Sequence, residues 1–179
     1  MACTRHADAM SSGPELCLLV LLRHAEAKKS SGSGDLRREL SSAGREHARA
    51  VGTWLRSEGV RPDAVISSHA TRTLQTWDGL RQGGLHADDV WTDEAVYDAD
   101  PADIIESIAA VPDDVRTLVV IGHAPGVPAL AGLLADHLPQ ECRGPDQGWP
   151  PAAVAVVSHR GTWADFPTDD TAIVAFRVP

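Results

Sequence analysis

Cysteine is scarce in this chain. Its three residues, Cys3, Cys17 and Cys142, are odd in number and far apart, which argues against a disulfide framework and offers no metal-type spacing. The eight histidines add no pair at zinc-ligand spacing on a recognisable helix or turn, so the sequence lends a metal site no support. Long apolar runs are missing as well, and no stretch approaches the ~20 residues that span a bilayer. Leu16–Leu22 has the length of a signal h-region. However, one arginine offset by Asp8 and Glu15 precedes it, and Arg-His rather than a small-residue cleavage site follows. A cytoplasmic location is therefore expected. Positive charge is also in deficit: 16 Lys and Arg face 25 Asp and Glu, a formal net charge of -9. Such a field repels nucleic acid and anionic membranes, and neither is an expected partner.

What is present suffices for a sizeable core. At 179 residues the chain is expected to form one domain over residues 15–179, behind a flexible N-terminal tail over residues 1–14. Leu16–Leu22 is a continuous apolar run bounded by polar residues, the pattern of a strand buried on both faces. Lys28–Asp35 is loop by composition. An amphipathic helix is expected from about Ser42 to Ser57, with Ala48, Val51, Trp54 and Leu55 on one face. Ser41 or Ser42 can cap it, and Gly59 lies past its end. A strand over Asp63–Ser67 and a helix over Thr71–Arg81 follow, then a strand over Val90–Val96 and a helix begun by Pro101. Thr117–Ile121 is a second strongly apolar strand, followed by a helix over Val127–His137 and a surface loop over Pro139–Pro151. Ala152–Ser158, Gly161–Phe166 and Ala172–Val178 read as closing strands, partly antiparallel. This alternation makes the fold class α/β, a three-layer α/β/α sandwich on a mostly parallel central sheet. No internal repeat or second domain is evident.

The chemistry concentrates where strands end. Arg23-His24 follows the first strand, at the carboxyl edge where open α/β sheets bind ligands. An arginine beside a histidine there suggests an anion site holding a nucleophile or proton carrier; a chance dipeptide is the bland alternative. Arg5-His6-Ala7-Asp8 nearly repeats Arg23-His24-Ala25-Glu26, but no strand delivers that copy, which reads as a decoy in the tail. Arg72 falls in the first turn of a helix after a strand, where a cation opposes the helix dipole unless an anion is shared between them. Gly122-His123 repeats the logic of Arg23-His24 on another central strand. Arg37-Arg38 adds a basic pair before the first long helix. In an acidic protein these arginines define a local oxyanion pocket. Guanidinium groups match phosphate geometry well, with carboxylate binding the competing reading.

Taken together, four segments resemble the histidine phosphatase superfamily, also called phosphoglycerate mutase-like. Arg23-His24-Ala25 is similar to its Arg-His-Gly signature, and Asp35 through Gly44 to Asp-x-x-Arg-x-Leu-(Ser/Thr)-x-x-Gly, which selects Arg38. Ser67 through Thr76 is similar to Ser-(Ser/Thr)-Pro-x-x-Arg-x-x-Gln-Thr, selecting Arg72, and Gly122-His123-x-Pro-Gly to the second-histidine motif. The four run in family order over about residues 18–128, and the short chain most resembles the SixA-type phosphohistidine phosphatases. Two positions depart. Ala25 adds one methyl group, whereas His69 replaces a proline, removing a rigid turn and adding a titratable group at the rim.

The resemblance implies that His24 is the nucleophile and passes through a phosphohistidine intermediate, with Arg23, Arg38, Arg72 and His123 binding the phosphoryl oxygens. Fixed cations then do what metal ions do elsewhere, so no metal or other cofactor is implied. Larger relatives protonate the leaving oxygen with a carboxylic acid, and Asp98, in a loop between a strand and a helix, is the candidate here. A phosphorylated imidazole is a good leaving group once protonated, so the lack of an unmistakable acid favours phosphohistidine on a protein. Only about forty-five residues separate the Arg72 and His123 segments, too few for a large cap, and the resulting open pocket suits a phosphorylated protein side chain. A small-molecule phosphomonoesterase is the alternative enzyme and a non-catalytic phosphate-binding protein the alternative class. Oligomeric state is not legible.

Overall fold

The structure, a computed structural model, describes residues 15–29, 32, 34–135 and 149–179. The tail over residues 1–14 with its Arg5-His6 copy, Cys3, Cys142, His137 and most of the Pro139–Pro151 loop lie outside the described residues.

The strongest apolar runs form the middle of a sheet. β1 (Leu16–Arg23) and β4 (Thr117–Gly122) pair in parallel, and β2 (Ala64–Ser67) and β3 (Asp89–Thr92) extend the sheet beyond β4, also in parallel. On the other side β5 (Val154–Arg160) runs antiparallel to β1, and β6 (Ala172–Arg177) antiparallel to β5. The strand order is β3-β2-β4-β1-β5-β6, a six-stranded mixed sheet in which β5 alone is reversed. Side chains alternate between the faces of β1. Cys17, Leu19 and Leu21 pack in a cluster with Ile104 and Ile108 of α3 (Pro101–Ala109) and Val127, Leu130 and Ala131 of α4 (Gly126–Leu133). Val20 and Leu22 pack in a second cluster with Ala48, Val51 and Leu55 of α1 (Ser42–Ser57) and Trp77 and Leu80 of α2 (Thr71–Gln82). Each cluster thus belongs to one face of the sheet. None of the described helices is long and apolar enough to cross a membrane.

Local chemistry sets the boundaries. The Ser41 hydroxyl caps α1 by accepting from the Gly44 amide, and Asp100 and Asp103 form a reciprocal capping box ahead of Pro101. Three expectations need correcting. The strand expected over Val90–Val96 stops at Thr92, because the Asp93 carboxylate accepts from the Ala95 amide and starts a single 3-10 turn over Glu94–Val96. Gly161–Phe166 is not a strand. Trp163 turns inward, its Nε1 donating to the Val115 carbonyl at 2.7 Å, and the segment forms a 3-10 turn over Trp163–Asp165. The helix expected over Val127–His137 ends at Leu133.

Register gathers the chemistry at one edge. Arg23 lies beside Gly122 and Ser67 beside Ile121, so the chain leaves three neighbouring strands at His24, Ser68 and His123. Two glycines bring the flanking segments close. A Cβ on Gly44 would overlap the Glu26 carbonyl just beyond His24, and one on Gly126 would overlap the Ala99 carbonyl next to Asp98.

Candidate active site

At the carboxyl edge of the sheet, Arg72 joins the two histidines. It is 5% exposed. Its Nε donates to His24 Nε2 at 3.2 Å, and its terminal Nη2 lies 3.1 Å from His123 Nδ1. The ring centroids of His24 and His123 are 5.1 Å apart. Because His24 Nε2 accepts from Arg72, the ring proton belongs on Nδ1, which meets the Ala25 carbonyl at 2.8 Å. His123, by the same logic, accepts at Nδ1 and donates from Nε2 to the Ser68 hydroxyl, 2.8 Å away. Both imidazoles are held neutral. Burial pushes His24 down to about 4, with the charges of Arg72, Arg23 and Arg38 acting in the same direction against the opposing Ala25 hydrogen bond. Burial and then Arg72 push His123 down to about 3.

The backbone beneath His24 is tightly fixed. The His24 amide donates to the Gly122 carbonyl at 2.9 Å and the Ala25 amide to Thr76 Oγ1 at 3.0 Å. The extra methyl of Ala25 is accommodated in the core against α1 and α2. Arg23 donates from Nη1 to the Trp149 carbonyl at 2.6 Å. Its Nε is buried without a partner among the described residues, and burial lowers its pKa. Arg38 stands further out, donating to the Lys28 carbonyl at 3.0 Å and to Asp35 Oδ1 at 2.9 Å. Asp98 is exposed, makes no side-chain hydrogen bond among the described residues, and sits at a positive φ of 29°. Arg72, His24 and His123 are therefore in mutual contact, and Arg23 and Arg38 flank them. Asp98 lies on the segment that packs against the His123 turn through Gly126.

Two residues at the centre were not singled out from sequence. Asp35 accepts from Arg38 with one carboxylate oxygen. With the other it accepts from Tyr97 at 2.6 Å and pairs with Arg72 Nη2 at 2.9 Å. Tyr97 also lies 5.7 Å under the Arg72 guanidinium and edge-on to His123 at 5.1 Å. The only available signal was composition: Tyr97 is the single tyrosine of the chain. His69 packs 5.4 Å from the Tyr97 ring, its Nδ1 buried without a partner among the described residues.

The sequence pattern of the histidine phosphatase superfamily (branch 1) matches residues 19–100. An uncharacterised protein of Mycobacterium tuberculosis strain H37Rv is 36% identical over 161 residues, 88% of this chain and 99% of that protein. The putative phosphohistidine phosphatase SixA from Nakamurella multipartitia superposes with a TM-score of 0.79 at 31% identity, covering 94% of this chain and 99% of that one. The putative phosphohistidine phosphatase SixA from Agrobacterium tumefaciens superposes with a TM-score of 0.75 at 25% identity, covering 91% and 98%. With two histidines and a buried arginine at the edge of its sheet, the chain belongs to the histidine phosphatase superfamily.

Proposed function

We propose that this chain is a metal-independent phosphatase that passes a phosphoryl group through His24 and acts on phosphohistidine carried by a protein, on the scaffold of a three-layer α/β/α domain. The observation that carries this reading is the hydrogen-bonded line from His24 Nε2 through Arg72 to His123 Nδ1. It sets a neutral, oriented imidazole against a buried guanidinium, the pairing that attack on phosphorus needs.

In the first step Arg72 Nε shifts its hydrogen bond from His24 Nε2 to a phosphoryl oxygen. The freed Nε2 lone pair forms a bond to phosphorus while the bond from phosphorus to the substrate's imidazole nitrogen breaks. That nitrogen takes up a proton from solvent. The Nδ1 proton of His24, shared with the Ala25 carbonyl, steadies the positive charge the ring acquires. Arg23, Arg38 and Arg72 hold the phosphoryl oxygens throughout, and His123 joins them by turning its one N–H from the Ser68 hydroxyl to a phosphoryl oxygen. Water then attacks the phosphohistidine, the phosphorus–Nε2 bond breaks, and phosphate leaves. With an ester substrate the leaving alkoxide needs a proton donor, a role we assign to Asp98. Its supports are its place on the segment held against Gly126 and its positive φ, the kind of local strain that collects at functional sites.

The test is a phosphoenzyme trap combined with a substrate panel. Protein incubated with labelled phosphohistidine protein should acquire an acid-labile, base-stable label that His24→Ala lacks while keeping its circular dichroism. Turnover of phosphohistidine protein should exceed that of alkyl and aryl phosphates. Undiminished turnover by His24→Ala overturns the mechanism. A preference for small esters instead makes this a small-molecule phosphomonoesterase, and phosphate binding without turnover makes it a binding protein.

A further inference from the structure

We propose that the Asp35 carboxylate is an internal anion that competes with phosphoryl groups for Arg72 and Arg38, and so sets how tightly the pocket holds substrate and phosphate. The proposal rests on the reading of this pocket as a phosphoryl site.

Three donors from separate segments converge on Asp35: Arg38 on Oδ1, and Tyr97 and Arg72 on Oδ2. Two of them are arginines assigned above to the phosphoryl oxygens. The Arg72 nitrogen engaged is Nη2, the one that also meets His123. The carboxylate therefore stands at the histidine pair, with charge and donor geometry resembling those of part of a bound phosphoryl group. These contacts hold its pKa well below the usual carboxylate range, the Tyr97 hydrogen bond contributing most and Arg38 next. It thus stays an anion at any working pH.

The same residue has the means to withdraw. Its side chain is 49% exposed, so rotation about χ1 carries the carboxylate into water, where solvent replaces the three donors it gives up. Its backbone carbonyl separately accepts from Arg72 Nη1 at 2.8 Å, which keeps the segment and the guanidinium in place when the side chain leaves. Binding of a phosphoryl group is then an exchange of one anion for another. The apparent affinity is reduced by the fraction of molecules whose carboxylate is docked. Weak retention of phosphate would favour product release.

A merely structural role, in which Asp35 orders Arg72 and Arg38, predicts the opposite sign. The experiment measures binding of inorganic phosphate and vanadate to the full chain by titration calorimetry and by competitive inhibition. Asp35→Asn should bind both about tenfold more tightly, the worth of roughly one charge-assisted contact at a half-exposed site. KM should fall with it. Asp35→Ala, which also removes the acceptor, should shift the same way or further. The gain should survive high salt, where through-space repulsion is screened but contact competition is not. Unchanged or weaker binding in both variants with an intact fold, or a gain that vanishes in salt, overturns the internal anion alone. A wild-type protein that binds neither ligand overturns the phosphoryl-site reading and this proposal with it.

Discussion

Arg72 has no adequate substitute among the other cations. Its planar group donates in three directions at once, to His24, to His123 and to Asp35, from a buried position. A lysine offers a compact ammonium that cannot span the two rings. Arg72→Lys should therefore lower kcat/KM by about 10²–10³, comparable to losing a preorganised oxyanion donor, with little change in the circular dichroism spectrum. His24 carries the pH dependence. In the mechanism proposed above its neutral form is the nucleophile, and its pKa is pushed from 6.5 down to about 4. The acid limb of phosphoenzyme formation should accordingly fall near pH 4, activity being lost as the ring protonates below it. A limb near 6.5 in rapid-quench measurements would contradict the burial of the ring. Arg23, His24 and His123 stand out in the sequence because each sits at a strand end, and Arg72 because it opens the helix after one, whereas Arg38 is distinguished from Arg37 only by the motif resemblance. Asp35 was only a motif boundary, since its significance comes from Tyr97, 62 residues away, and no local pattern encodes such a pairing.

The connections between elements, more than the elements themselves, decide the site. Periodicity located α1 to the residue at both ends, because its apolar stripe and Ser41 cap are both local features. Gly161–Phe166 misled because Trp163 and Phe166 are apolar for packing into the core rather than for a sheet ladder. The β3–α3 connection is shaped by its neighbour, with Ala99 pressed on Gly126 and Val96 on Gly122. Gly126→Ala forces a methyl into the Ala99 carbonyl, a clash worth ~1–3 kcal/mol. It should lower Tm and reduce turnover together, since the same shift moves His123. On that connection Asp98→Asn discriminates between substrates. It should slow hydrolysis of an alkyl phosphate by roughly 10²-fold or more, as expected for loss of a general acid. Phosphohistidine hydrolysis should be nearly unaffected, because solvent can protonate the departing imidazole. Equal losses on both would show Asp98 serving every substrate and weaken the preference for phosphohistidine.

For the molecule as a whole, a neutral histidine pair is a liability in acid. Both folded pKa values, about 4 for His24 and about 3 for His123, lie below the 6.5 of an unfolded imidazole. Between these limits the unfolded chain binds more protons than the folded one, so stability rises with pH across that window and drains away as pH falls through it. Chemical denaturation at pH 7 and pH 4.5 should show this decline, and His123→Gln, which keeps a polar group but cannot titrate, should flatten it. A decline just as steep in His123→Gln would assign the acid sensitivity elsewhere. One tie described above reaches across the chain: Arg23 is seated on the carbonyl of Trp149, 126 residues later, and the Ala152 amide donates to the Arg23 and His24 carbonyls. On the ribosome β1 emerges well before β5, so its Arg-His pair has no seat until the segment ahead of β5 is synthesised. Closing so long a loop is slow. A nascent chain can thus present β1, β4 and the helices α1 to α4 and still lack a finished site around Arg23 and His24. The finished edge arrives late and all at once, so that a half-made chain carries the motif residues without the site they form.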